Sequence, residues 1–231
     1  MTDEHHGEHH PEHNAHHAEH KPHHSQMPEI PKVDFKGVNV GSITGGFNDV
    51  IEILKLNKTV IDKVAGRDGE GIAVALIYLL IGALAVPLGA MILGISFPFI
   101  GTIRIGVVPA LQSALGSAIM FCVSLYVTNL VVEKMFQGHA KFPQYFRVMG
   151  YAALVNVIGF ITPVMALSLV AGVWWMVVNY VVLNHVHKLS SQNAALIIVV
   201  TLVVLYILNA VLTSFGFGSM SLGSSLSFSL R

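Results

Sequence analysis

Histidine doublets at positions 5–6, 9–10, 16–17 and 23–24 are the first feature of this sequence with chemistry in it. His5, His6, His9, His10, His13, His16, His17, His20, His23 and His24 make up ten of the thirteen histidines, all within the first 24 residues. Neutral imidazole is the ligand that Zn, Ni, Cu and Co favour. Glu4, Glu8, Glu12 and Glu19 stand ready to add oxygens. A flexible chain imposes no coordination geometry, so Zn or Ni held here is expected to bind modestly and with little selectivity. No cofactor is required elsewhere. Incidental composition is the plain alternative, and below a pKa of about 6.5 the tail becomes cationic, which would suit pH sensing.

The other three histidines lie far away. His185 and His187 close a long apolar stretch, and His139 is in the preceding polar loop. Positions two apart do not share a helix face, so this pair chelates only if the helix has already ended. An interfacial helix cap is the plainer reading. Conventional catalytic patterns are absent: no G-x-S-x-G, no H-E-x-x-H, no phosphate-binding loop. Of thirteen acidic residues, twelve lie at or before Glu70, which leaves Glu133 as the sole later carboxylate. No enzyme is expected. Cys122 is the only cysteine, so there is no disulfide framework. A formal net charge of zero argues against nucleic acid as a partner.

The elements that carry these residues follow from composition. In 231 residues only 11% are charged and 53% are hydrophobic, with a mean hydropathy of +0.65. A soluble domain carries about 25% charge, so lipid is the expected solvent for most of the chain. Residues 1–32 are polar and broken by prolines at 11, 22, 28 and 31, which predicts a disordered His-rich tail. No apolar core precedes a cleavage site there, so insertion is expected to be driven by the later helices. Residues 33–71 read as a cytoplasmic or interfacial segment. Gly41, Gly45 and Gly46 suggest a flexible lead-in, followed by an apolar stripe of Phe47, Val50, Ile51, Leu54, Ile61 and Val64 with the charges, Asp49 included, on other faces. Asn57-Lys58 interrupts the stripe, which predicts two short amphipathic helices.

Four stretches then lack Asp, Glu, Lys and Arg: 71–103, 105–132, 148–184 and 189–230. About 20 apolar residues cross the hydrocarbon layer. The first two stretches predict crossings near 72–95 and 106–131, and the last predicts one near 194–213. At 37 residues, 148–184 would run about 55 Å as a single helix, so it should fold back near Gly159–Pro163. The fold expected is all-α: a polytopic bundle of five membrane-spanning helices over 72–213, with a Gly/Ser-rich outer tail at 214–231. Eleven Lys or Arg residues then fall on the inner side and two on the outer. That asymmetry places the N-terminus in the cytoplasm and the C-terminus outside.

Small residues four apart, Ala85/Gly89, Ala110/Ala114/Ala118 and Ser168/Gly172, suggest close helix contacts. Pro87 should kink the first crossing. Single amides at Gln112, Asn129, Asn156, Asn179 and Asn209 are expected to bond between helices rather than to line a polar path. No ionisable side chain lies deep in a crossing, which argues against active transport.

The segment Phe136-Gln137-Gly138-His139-Ala140-Lys141-Phe142-Pro143 through Arg147-Val148-Met149-Gly150-Tyr151-Ala152 resembles the Yip domain family of Ypt/Rab-interacting membrane proteins, in its prokaryotic form. Ser191 and Ala194 resemble that family's approach to its last helix. The resemblance extends over about residues 47–213. It implies five crossings, a cytoplasmic N-terminus and a scaffold role in membrane organisation or trafficking. Relatives that bind small GTPases carry an Asp-Leu-Tyr-Gly-Pro motif absent here, which argues against a GTPase partner. Gly150, Tyr151, Pro143 and Arg147 are expected to serve packing. Pro143 suits a first helical turn, and Arg147 is expected to snorkel to the inner surface.

The function expected is that of an integral scaffold or partner-binding protein in a prokaryotic plasma membrane. Its expected partners are the lipid bilayer and either another protein or a second copy of itself. A metal-handling channel or permease that uses the histidine tail for capture is the alternative.

Overall fold

A computed structural model describes residues 33–97, 101–161 and 165–212. The ten tail histidines and the 214–231 tail lie outside the described residues. Two short helices lead, as the stripe predicts: α1 (Val40–Leu54) and α2 (Lys58–Ala65). The break falls where expected. Leu56 adopts a φ of 63°, and the Asn57 side chain accepts from the Thr59 amide at 3.2 Å to start α2.

The burial of α1 departs from expectation. Its buried face is Gly46, Asp49, Val50 and Ile53, whereas Phe47 is 51% exposed. The reason is electrostatic: Asp49 finds cations on α2 and beyond, so a carboxylate occupies the inner face and an aromatic looks outward. The three glycines lie inside α1 rather than in a flexible lead-in. Gly46 is required there, because a Cβ would stand 2.7 Å from the Tyr78 hydroxyl.

Next come α3 (Gly69–Ile92), a two-stranded antiparallel hairpin of β1 (Ile95–Phe97) and β2 (Gly101–Ile103), and α4 (Val107–Phe136). The hairpin is the one departure from an all-helical chain among the described residues. α5 (Phe142–Ala152) starts with Pro143 in its first turn and continues through a 3-10 turn, Ala153–Val157, into α6 (Ile158–Ile161). α7 (Met165–Val186) returns alongside α5, so the long uncharged stretch does fold back. Residues 162–164, part of the region where the fold-back was expected, lie outside the described residues. α8 (Ser191–Leu212) ends the described chain.

Among the described residues three helices are long and apolar enough to cross a membrane: Gly69–Ile92, Val107–Phe136 and Ser191–Leu208. Val170–Val186 is apolar but shorter. Burial is uneven along them. The start of α3, the end of α4, all of α5 and the end of α7 form one core that includes Leu79, Leu125, Tyr145, Met149 and Leu183. The opposite ends present Ile92, Val107, Leu111, Val170 and Tyr206 outward. Ala85, Gly89, Ala110, Ala114 and Ala118 are buried, in line with close contacts. Gly172 is not, and nothing lies within 4 Å of its would-be Cβ; Ala171 takes the buried position beside it. Gly82 carries a contact that spacing did not disclose, since a Cβ there would overlap the Ala153 carbonyl.

Candidate functional site

Gly150 and Tyr151 sit where α5 crosses α3. A Cβ on Gly150 would stand 2.8 Å from both the Cβ and the carbonyl oxygen of Ala75, so the missing side chain sets the distance between the two helices. That close approach seats Tyr151, 1% exposed, against Tyr78 in an edge-on pair with centroids 5.0 Å apart. Tyr78 donates to the Ile43 carbonyl and so ties α1 to α3. Arg67, between α2 and α3, donates from Nη1 to the Tyr151 hydroxyl at 2.5 Å and from Nη2 to Asp49. Lys63 completes the cluster with a bond to Asp49 Oδ1 at 3.0 Å. Burial works against the Arg67 charge, yet Tyr151 and Asp49 outweigh it and raise the Arg67 pKa above its ordinary value.

A cleft of about 400 Å³ opens beside this cluster, between α1, α2 and the first turn of α3. Asp68 and Glu70 stand on its rim, and Glu70 accepts from the Ser42 hydroxyl at 2.5 Å. Sequence reasoning found Gly150 and Tyr151 but missed Asp49, Arg67, Tyr78 and Gly46. The one local signal was a carboxylate at Asp49 between the apolar positions Phe47 and Val50, with two cations, Lys63 and Arg67, a helix further on.

Arg147 does not snorkel. It is 8% exposed, its Nε donates to the Pro143 carbonyl at 3.1 Å, and Nη1 is buried with no partner. Closure of α2 and α3 over α5 holds the guanidinium inside the protein. Ser191 is exposed in the first turn of α8, while Ala194 is fully buried beneath it. The side chain that caps this helix is that of Ser190, which accepts from the Asn193 amide at 3.3 Å.

The three late histidines separate. His185 Nε2 lies 2.9 Å from Asp62 Oδ2 and joins α7 to α2. His187, just past the end of α7, is fully buried, and neither ring nitrogen has a partner. Its ring stands 5.4 Å from that of Tyr145, and its carbonyl accepts from the His139 amide at 3.5 Å. Burial first, and His139 second, push the His187 pKa down to about 4. The two histidines thus face different surroundings and form no chelate. Among the described residues no group of three His, Cys, Asp or Glu side chains is placed to hold a metal. Of the amides, Asn179 bonds between helices as expected, accepting from Tyr145 at 2.8 Å, whereas Asn129 donates to Glu133 at 2.7 Å within α4 itself.

A chain of apolar helices, three of them long enough to span a bilayer, joined by short loops and a small polar cluster at one end, defines an integral membrane protein. It belongs to the Yip1 domain family, whose model matches residues 53–212. Most of α1 precedes that match. No curated protein and no solved structure matches the chain.

Proposed function

We propose that this protein is a non-enzymatic scaffold that binds another protein, or a second copy of itself, within a prokaryotic plasma membrane. The observation that carries the reading is the family match across residues 53–212. The interior accords with it: two polar pairs at helix crossings, Arg67–Asp49 and Tyr145–Asn179, bond to one another. Five crossings, with the N-terminus inside and the C-terminus outside, accord with the placement of Lys and Arg. A tag after Arg231 is then reached by protease added to intact cells, and protection of that tag refutes the topology. Affinity purification in mild detergent recovers the same partner, or a second copy, from independent preparations. Repeated recovery of a lone monomer refutes the scaffold.

The ten tail histidines favour a second reading, capture of Zn or Ni for passage through the membrane. Deleting residues 1–32 then lowers cellular uptake of these ions. Unchanged uptake and tolerance eliminate it.

A further inference from the structure

We propose that α1 lies in the plane of the membrane, with Val40, Phe47 and Ile51 inserted where headgroups meet acyl chains in the leaflet that α3 enters first. The geometry begins with what α1 crosses. Along its length it meets three helices in turn. Its Ile43 carbonyl accepts from Tyr78 of α3, a Cβ on Gly46 would stand 3.3 Å from the ring of Tyr151 in α5, and the Leu54 carbonyl accepts from the Trp174 indole of α7 at 3.1 Å. These contacts fall at a common depth. Tyr78 is nine residues past Gly69, Tyr151 nine past Phe142 and Trp174 twelve before Val186, so each lies about 14–18 Å from one end of its helix. Those three ends adjoin, because Gly71 abuts Arg147 and the His139 amide donates to the His187 carbonyl. A helix that keeps one depth while it passes over three others runs transverse to them, and so parallel to the bilayer that α3 spans.

Asp49 fixes which flank of α1 faces which way. It binds Lys63 and Arg67, and Arg67 stands two residues before α3 starts, so the Asp49 side faces that end of the bundle. At about 100° per residue, Val40, Phe47 and Ile51 all fall within about 20° of the opposite side. They therefore look along α3 towards its middle, and all three are exposed. Each precedes the residues that the family model matches.

The independent observation is where the neighbouring helices become exposed. Helix α3 has no exposed residue before Leu80, α5 has none, and α7 has none after Met176. Only at or past the level of α1 does exposed apolar surface begin, with Leu80 and Leu84 on α3, Ile158 on α6 and Val173 on α7. The apolar flank of α1 is thus continuous with the surface that the spans turn to lipid, and lipid is its occupant. Trp174, half-exposed at the crossing, suits a headgroup boundary. Lys55, largely exposed at the end of α1, is long enough to reach headgroup phosphates while its stem stays beside the flank.

The test places a bimane label on the full chain in vesicles of phosphatidylcholine and phosphatidylglycerol, in a Cys122→Ala background. Phe47→Cys and Ile51→Cys carry the label on the apolar flank, and Asn48→Cys carries it about a quarter turn away. Phospholipids brominated in their acyl chains quench the first two at least about twice as strongly as the third, and iodide on both sides of the bilayer quenches in the reverse order. Val40→Cys, at the most exposed of the three positions, repeats the reading should a label at 47 or 51 disturb the fold. Iodide quenching at 47 and 51 equal to that at 48 overturns the proposal, because α1 then faces water. Protection of 47 and 51 from both quenchers overturns it too, because a second copy or another protein then covers the flank.

Discussion

Acidification from pH 7 to pH 5 is expected to destabilise this protein through His187. The imidazole is fully buried and unpartnered, and it faces His139 and the Tyr145 ring. Its pKa in the folded chain is about 4, against an ordinary 6.5. The unfolded chain therefore takes up a proton that the folded chain refuses. Stability is complete above the ordinary value and falls as the pH drops from 6.5 towards 4. The difference in pKa caps the loss at about 3 kcal/mol, and about 2 kcal/mol is gone by pH 5. For a chain of this size, 2 kcal/mol lowers the melting midpoint by about 4–8 °C. His187→Phe removes the titration and keeps an aromatic ring in the site. Thermal unfolding of both proteins in detergent at pH 7, 6 and 5 reads the effect. The variant is expected to have a flatter profile and a midpoint at pH 7 no lower than that of the wild type, because two unpartnered nitrogens have been removed. The tail histidines titrate in both proteins and cancel in the comparison. Parallel profiles would show that His187 takes up a proton as readily in the folded chain as in the unfolded one, and the reasoning would fail.

Two further outcomes test the packing and the polar cluster. Gly150→Ala should lower stability by about 1–3 kcal/mol, and Gly82→Ala by at least as much because its would-be Cβ meets a backbone carbonyl closer still, at 2.3 Å against 2.8 Å, as read by thermal midpoint; wild-type midpoints in both would refute the close crossings. Asp49→Asn strips the carboxylate from Arg67 and Lys63 and should cost more than Tyr151→Phe, which removes one hydroxyl from Arg67 at about 1 kcal/mol. A double-mutant cycle between the two should show coupling through the shared arginine, and strict additivity would refute it.

How much of this was legible depends on the reach of each interaction. The helix limits were, because they rest on local composition: uncharged stretches became α3, α4 and α8, and Asn57-Lys58 marked the boundary between α1 and α2. The fold-back of 148–184 followed from length alone. The facing of α1 was not legible, since Asp49 turns inward only because Arg67 waits 18 residues away. Tyr151 could be named from its setting beside Gly150, but not its partner, which is 84 residues distant. For Arg147 the sequence offered a long cationic side chain near a membrane boundary, for which snorkelling is the ordinary outcome. Its burial depends on α2 and α3 closing over it. Gly82 and Gly172 look alike in sequence, yet one touches a carbonyl and the other touches nothing.

The uneven burial has a physical reason in the length of α4. Its 30 residues run about 45 Å, some 15 Å beyond a hydrocarbon layer of about 30 Å. Within lipid the hydrophobic effect gives helices no cause to associate, since acyl chains are as apolar as leucine. Where helices emerge into headgroups and water, burial of apolar surface becomes favourable again. The dense core lies at the end where α4 carries Glu133 and Lys134 and where α1 and α2 pack, and this is the end at which the surplus length would emerge. The 17% burial of the apolar window of α8, against 56% for α3, follows from the same contrast: α8 keeps lipid as its solvent over most of its length, whereas α3 enters the core with its first three turns. Fold stability in this protein is therefore concentrated in the layer beside the membrane, around Tyr151, Arg67 and His187. Substitutions there should lower stability far more than apolar exchanges at Val203 or Ile207, which face outward.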